Sequence, residues 1–280
     1  MPTKPFDHLV MTRFNVRVGR EPANEDWLRH RLQYFENVCC ASIASQTNKD
    51  FRWIVLFDSE REPWFEAEVE RLSRDGLFEP VWVEGSFEPT VAANLFAERS
   101  SADWLITTRV DNDDALARDF IEKVQSQFER QDFEFVNFQS GLQLNDAGEL
   151  FHRLDPSNAF ISLIEKRREG PPRGIYLAWH DRVEQHGPMR QVRSHAMWLQ
   201  MVHGRNIGNQ ARGVRAEPGL LAEYFDVERE AAPVTRSKLM VSKAGSAIKL
   251  GARVIRKPSR IIWLGKLIRN HVKTAAAARA

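Results

Sequence analysis

Apolar and polar residues follow two rhythms along the first 130 residues. Short β-branched and aromatic runs have the length of strands, and between them apolar residues recur three or four apart, as in helices. The runs predict strands over 8–16, 51–57 (FRWIVLF), 80–83 and 103–110. The spacing predicts helices over 27–45, 62–74, 91–98 and 116–128, the first carrying Trp27, Leu28, Leu32, Phe35 and Val38. Strand and helix in alternation imply βαβ units and a mainly parallel sheet. After Gln131 the rhythm changes. Strands are predicted over 133–138, 141–145 and 149–154, with Asp146-Ala147-Gly148 as a turn. A charged loop over 167–174 follows, and segments 175–186 and 195–201 are predicted helical or partly so.

Composition adds two points. The net charge of +2 conceals an asymmetry: residues 231–280 hold twelve Lys and Arg and no Asp or Glu, which leaves −10 on the rest. An acidic body with a basic tail suggests a surface-seeking tail and disfavours nucleic acid as a partner. Within the tail, Ile261, Leu264, Ile268 and Val272 share one helical face among Arg260, Lys266, Arg269 and Lys273. That pattern suits an interfacial helix on anionic lipid, or a docked helix with a wet basic face. We therefore divide the chain into a body, 1–232, and a basic tail, 233–280. The cysteines, Cys39 and Cys40, are adjacent, a spacing that disfavours a relaxed disulfide and fits a reducing, cytoplasmic compartment. No segment has the run of about 18 apolar residues that a membrane span requires.

The fourth predicted strand stops at Asp111-Asn112-Asp113-Asp114. Three carboxylates crowded together repel one another, and burial raises the pKa of some of them. A divalent cation removes that conflict, because hard oxygen ligands suit Mg²⁺, Mn²⁺ or Ca²⁺. The C-terminal end of a strand is also where α/β sheets bind ligands. The plainer alternative is an N-cap, with Asp113 or Asp114 capping a helix that starts near Ala115. An EF-hand is excluded: Leu116 stands where the loop glycine belongs.

Other candidates lie at similar breaks. His203-Gly204 follows the apolar segment 196–202, where a neutral imidazole suits a metal shell and a charged one suits a helix end. Arg13 suits a phosphate or a base and Phe14 a stacking partner; the alternative is a solvated Arg beside a core Phe. Asp58 suits a ribose or base edge, or else a turn. Asp181, with Glu184 or His180 behind it, is the candidate base for an acceptor hydroxyl. Each of the three also reads as part of a solvated face.

Together these pieces resemble the rhamnosyltransferase family of bacterial glycosyltransferase-like proteins. The resemblance rests on Arg13-Phe14, on Ser42, Gln46 and Thr47 before an aromatic strand ending at Asp58, on Val110 to Leu116 with Phe120, and on Val202 to Asn206. It covers about 8–210 and leaves the tail outside. It implies a GT-A-like α/β fold, a nucleotide-sugar donor and a DxD site for Mn²⁺ or Mg²⁺. Carried onto this chain, Asp113 is the main metal ligand, His203 the second, and Asp111 lies near the ribose or the ion; Asn112 departs from the all-acidic form. Arg13 and Asp58 would help to seat the nucleotide. The expected activity is metal-dependent transfer of a sugar, rhamnose by the family's name, to a hydroxyl of a cell-surface polysaccharide or glycolipid. The expected location is cytoplasmic, at the inner face of the cell membrane. A metal-dependent phosphoryl-transfer or hydrolytic enzyme and a non-catalytic nucleotide-sugar-binding protein are the competing classes.

Overall fold

The computed structural model describes residues 5–19, 21–204 and 213–245. Its first half follows the predicted alternation: β1 (Phe6–Arg13), α1 (Glu25–Tyr34), a π-type segment (Phe35–Cys40), α2 (Ala41–Ala44), β2 (Arg52–Asp58), α3 (Pro63–Ser73), β3 (Glu79–Val83), α4 (Pro89–Arg99) and β4 (Trp104–Arg109). The helices start where local chemistry allows. Asn24 caps α1 by accepting from the Trp27 amide at 2.9 Å, and α3 and α4 open on proline, which gives up an amide that would lack an intrahelical partner anyway.

Two sheets are formed. The larger has the order β10-β6-β9-β4-β1-β2-β3, with β6 (Phe133–Phe138), β9 (Ser162–Lys166) and β10 (Met189–Val192). Its neighbours run parallel except at β9, which is antiparallel to both β4 and β6. Both faces are covered. From β1, Val10 enters one core with Phe35, Val55 and Phe57, while Leu9 and Met11 enter the other with Ile54, Leu56 and Phe96. Burial on both faces is why these strands read as continuous apolar runs. The smaller sheet has the order β12-β8-β7-β11-β5, with β5 (Ala115–Leu116), β7 (Ser140–Asn145), β8 (Leu150–Leu154), β11 (Trp198–Val202) and β12 (Val214–Arg215). Only its β7–β11 pairing is parallel. The fold is thus α/β with a mixed, mostly parallel main sheet.

Three expectations are corrected. The helix predicted over 116–128 is shorter, α5 (Phe120–Gln125), because the backbone just after the acidic run pairs with β11 instead; the Ala117 amide donates to the Met197 carbonyl at 2.9 Å. The N-cap reading of Asp113 and Asp114 falls with it. Segment 195–201 contains a strand, not a helix: β11 lies between β7 and β5 with four of its five residues buried, so it shows no alternation from which to read a period. Opposite Trp198 stands Gly141, where an added Cβ would come within 2.1 Å of the indole. Strands β9 and β10 were not foreseen. In β9 the polar Ser162 and Glu165 interrupt the apolar run, yet both are buried with partners: Ser162 meets Thr108 at 2.6 Å, and Glu165 accepts from the Arg173 and Gly174 amides. Segment 175–186 is partly helical, as expected, with two 3-10 turns.

Beyond α6 (Gly219–Tyr224), a helix over 236–245 packs back through the buried Leu239 and through Ser242, which accepts from the Arg215 amide. The proposed interfacial helix and residues Arg205 and Asn206 lie outside the described residues. Among the described residues, no helix is long and apolar enough to cross a membrane. Cys39 and Cys40 are buried and unbridged.

Candidate functional site

Each element that carries candidate chemistry ends at the same kind of place. Arg13 is the last residue of β1, Asp58 the last of β2, the acidic run follows β4, and His203 follows β11. Parallel pairing of β4, β1 and β2 brings three of these ends to one edge of the main sheet.

The acidic run divides into separate environments. Asp113 is buried; its Oδ2 meets His203 Nε2 at 3.1 Å and is ion-paired with Arg31. Arg31 comes from α1 and also donates to Asn112 Oδ1 at 3.2 Å. His203 stacks on Tyr34 with centroids 4.5 Å apart, and His30 stands edge-on to it at 5.2 Å. Asn112 is occupied structurally, since its Nδ2 donates to the Phe14 carbonyl at 2.6 Å. Asp114 is buried and accepts from the Met201 amide at 2.9 Å; burial, with Asp113 and Asp111 beside it, pushes its acid well above the usual carboxylate range. Asp111 differs. Its side chain is 38% exposed and meets Arg109 at 3.2 Å. Burial works against its charge, but Arg109 and Arg13 outweigh that and hold its pKa below the ordinary value.

The remaining expected site residues scatter. Phe14 is corrected: its ring is 3% exposed and packs among Trp27, Phe35, Phe57 and Phe65, so it serves the core and presents no face to a base. Asp58 is buried and engaged by Arg17 at 2.7 Å and by the Glu60 amide at 3.1 Å. Arg13 lies against Phe87, Tyr176 and Trp179. His180 is half-buried, with Nδ1 2.8 Å from the Ser157 carbonyl. A carbonyl only accepts, so Nδ1 carries the proton and, in the neutral ring, Nε2 is the basic nitrogen. Asp181 and Glu184 are exposed. Sequence reasoning missed Arg31, Arg109 and Tyr176. Arg109 had a signal, an arginine inside an otherwise apolar strand; Arg31 and Tyr176 had none.

Asp113 and His203 supply one oxygen and one nitrogen donor, a mixed set that Mn²⁺ tolerates better than Mg²⁺, which prefers oxygen alone. Among the described residues no group of three or more His, Cys, Asp or Glu side chains is arranged to hold a metal, so these residues offer a pair and not a full shell. Such a pair fits a cation whose other ligands are water and substrate oxygens. Cavities of about 320 Å³ beside Arg215 and Ser242 and of about 430 Å³ beneath Phe51 and Leu72 lie elsewhere.

The family model described as "Putative rhamnosyl transferase" matches residues 18–215, which is more than half of the chain. The chain belongs to this family. The match takes in the acidic run and His203 and begins after Arg13 and Phe14. No curated protein matches the chain. Among solved structures, TarS of S. aureus in complex with UDP-GlcNAc is 9% identical, with 72% of this chain and 60% of that one covered and a TM-score of 0.40. HddC from Yersinia pseudotuberculosis, complexed with GMP-PN, is 8% identical over 69% of this chain and 93% of that one, at 0.35. A 4-diphosphocytidyl-2C-methyl-D-erythritol synthase is 14% identical over 73% and 93%, also at 0.35. This chain therefore spans less than two thirds of the TarS structure, and superpositions of this quality carry no argument about its chemistry.

Proposed function

We propose that this family member is a GT-A-like, metal-dependent glycosyltransferase that moves a sugar, rhamnose by the family's name, from a nucleotide-sugar donor to a hydroxyl of a glycan or glycolipid. One observation carries the reading. Asp113 and His203, ninety residues apart in sequence, meet at 3.1 Å where two strands end. Packing alone gives little reason to bury a carboxylate and an imidazole together beside a second carboxylic acid.

In this reading Asp113 and His203 hold Mn²⁺ or Mg²⁺. The cation would supply charge stabilisation for the departing diphosphate. The protein's own groups do the rest. Arg31 neutralises Asp113 when no donor is present. Asp111, kept ionised by Arg109 and Arg13, accepts hydrogen bonds from donor hydroxyls. The bond between the sugar's anomeric carbon and the diphosphate oxygen breaks, the acceptor oxygen forms the new bond, and a base takes its proton. His180 is better prepared for that role than Asp181 or Glu184, because its contact with the Ser157 carbonyl sets its tautomer and leaves Nε2 as the acceptor. The basic tail then acts as a seat on the anionic inner face of the cell membrane; removing residues 246–280 is expected to move the protein from membrane to soluble fractions.

The test is turnover of UDP-, GDP- and dTDP-sugars with Mn²⁺ and with EDTA, for the native chain and Asp113→Ala. Cleavage of the sugar nucleotide that needs both the cation and Asp113 supports the transferase. Phosphate-ester cleavage without any sugar nucleotide replaces it with a hydrolytic or phosphoryl-transfer enzyme. Nucleotide binding with no turnover replaces it with a binding protein.

A further inference from the structure

We propose that Arg13, Arg109 and Trp179 form a seat for an anionic oxygen group, a phosphate or carboxylate carried beside a sugar ring. The proposal rests on the transferase reading for its biological setting, but its geometry stands apart from the Asp113–His203 pair.

Arg13 closes β1 and Arg109 closes β4, and the parallel register sets Met11 opposite Arg109. The two guanidinium carbons lie 5.0 and 5.4 Å from the centroid of one ring, that of Tyr176. Tyr176 is buried and pinned, its hydroxyl donating to the Met11 carbonyl at 3.0 Å. Arg13 also faces Phe87 at 5.4 Å and Trp179 at 5.6 Å. Against these two cations stands Asp111, which meets Arg109 at 3.2 Å. Asp113 is already ion-paired with Arg31.

Arg109 is only 4% exposed, and its Nε has no hydrogen-bond partner among the described residues. A guanidinium offers five N–H donors in a planar fork that matches phosphate and carboxylate oxygens, and burying it with the fork incomplete is unfavourable. Arg17, by comparison, is held by Asp58 and Glu60, each at 2.7 Å. The buried rings of Phe87 and Tyr176 lower the polarity beside Arg13 and strengthen a charge contact made there. Trp179 is 54% exposed, an uncommon setting for an indole. The C–H face of a sugar ring is apolar and packs on such a surface. Two guanidiniums beside one open indole therefore suit a sugar that carries an anion, more than a neutral sugar or a bare ion.

The anion has two sources, the donor's diphosphate or an acidic substituent on the acceptor. Calorimetric titration of the full chain in EDTA, which keeps cations off Asp113 and His203, tests the seat. Inorganic pyrophosphate and glucose 1-phosphate serve as probes. Both are expected to bind the native chain. Arg13→Gln is expected to weaken both at least tenfold, and Trp179→Ala to weaken glucose 1-phosphate at least fivefold while leaving pyrophosphate within twofold. Competition by UDP assigns the seat to the donor diphosphate; simultaneous binding of UDP assigns it to an acidic acceptor. Absence of binding to the native chain, or unchanged binding in either variant for glucose 1-phosphate, overturns the proposal. Trp179 is exposed, so its variant keeps the test sound even where Arg13→Gln fails to fold. Anion binding as expected without sugar-nucleotide turnover would sink the transferase reading alone.

Discussion

Asp113 and Asp111 stand two residues apart and live in opposite electrostatic settings. Asp113 is buried with one guanidinium, from Arg31, and one imidazole, from His203. Asp111 is partly open and lies under the influence of two guanidiniums, Arg109 and Arg13. The first site holds an ion pair, Asp113 with Arg31; the second sets two guanidiniums beside one carboxylate. In the proposed reading a single acidic run would serve a cation on one side and an anion seat on the other. The side chains of the run face different elements, α1 and β11 for Asp113 and the ends of β1 and β4 for Asp111.

Breaking the Asp113 side should have the largest effect. Asp113→Ala removes the carboxylate that neutralises buried Arg31, so we expect a loss of about 3–5 kcal/mol in stability. In whatever folds, we expect a fall of about 10²–10³-fold in sugar-nucleotide turnover. Denaturant melts and initial rates measure the two separately. A fully active, equally stable variant would show that the pair with His203 is incidental.

Arg31→Met sharpens the same comparison from the opposite direction. Arg31 and a dication compete for one carboxylate, so removing the guanidinium should tighten Mn²⁺ binding roughly tenfold, a coupling of about 1.4 kcal/mol. The metal-free protein should melt lower. Electron paramagnetic resonance of free Mn²⁺ reads the affinity, and weaker binding would place the cation elsewhere.

Asp114 separates packing from charge. Its folded pKa is raised, so the protonated form is favoured in the folded state. That contribution is fully present below the unfolded pKa and is lost as pH rises through the folded value. Asn at this position still accepts from the Met201 amide and carries no charge. Asp114→Asn should therefore match or exceed the native melting temperature at pH 8, while Asp114→Ala should lose about 1–3 kcal/mol with the hydrogen bond. A large drop in Asp114→Asn would mean that an ionised carboxylate is required there.

The smallest effect belongs to Asp111. Its pKa is lowered, so its contribution is present above the unfolded value of about 4 and is lost as pH falls through the folded one. The stability gap between the native chain and Asp111→Asn should stay flat from pH 8 to 5 and close only in more acid solution. A gap that closes near neutrality would show that the two guanidiniums do not act on this carboxylate.

Legibility in the sequence followed burial geometry. Strands β1 to β4 and their helices were readable because alternating strand and helix patterns repeat there with caps and prolines at the boundaries. Strand β11 was not, because burial in the middle of a sheet erases the period that separates a strand from a helix. Strand β9 was hidden for a related reason, its buried Ser162 and Glu165 looking like surface residues until their partners are known. Phe14 beside Arg13 looked like a stacking partner; strand geometry sends adjacent side chains to opposite faces, and Phe14 went into the core.

By itself the sequence determined the α/β alternation, the place where the fourth strand must stop, and the pairing of chemical types, carboxylate with imidazole, that suits a cation. Local spacing and residue chemistry are enough for those. Only the tertiary structure decided that Arg31 from the first helix neutralises Asp113, and that Arg13 and Arg109 converge on Tyr176. These contacts join residues up to 165 positions apart, as Tyr176 and Met11 are. No local pattern encodes which distant chain segments a packed core will bring to one edge of a sheet.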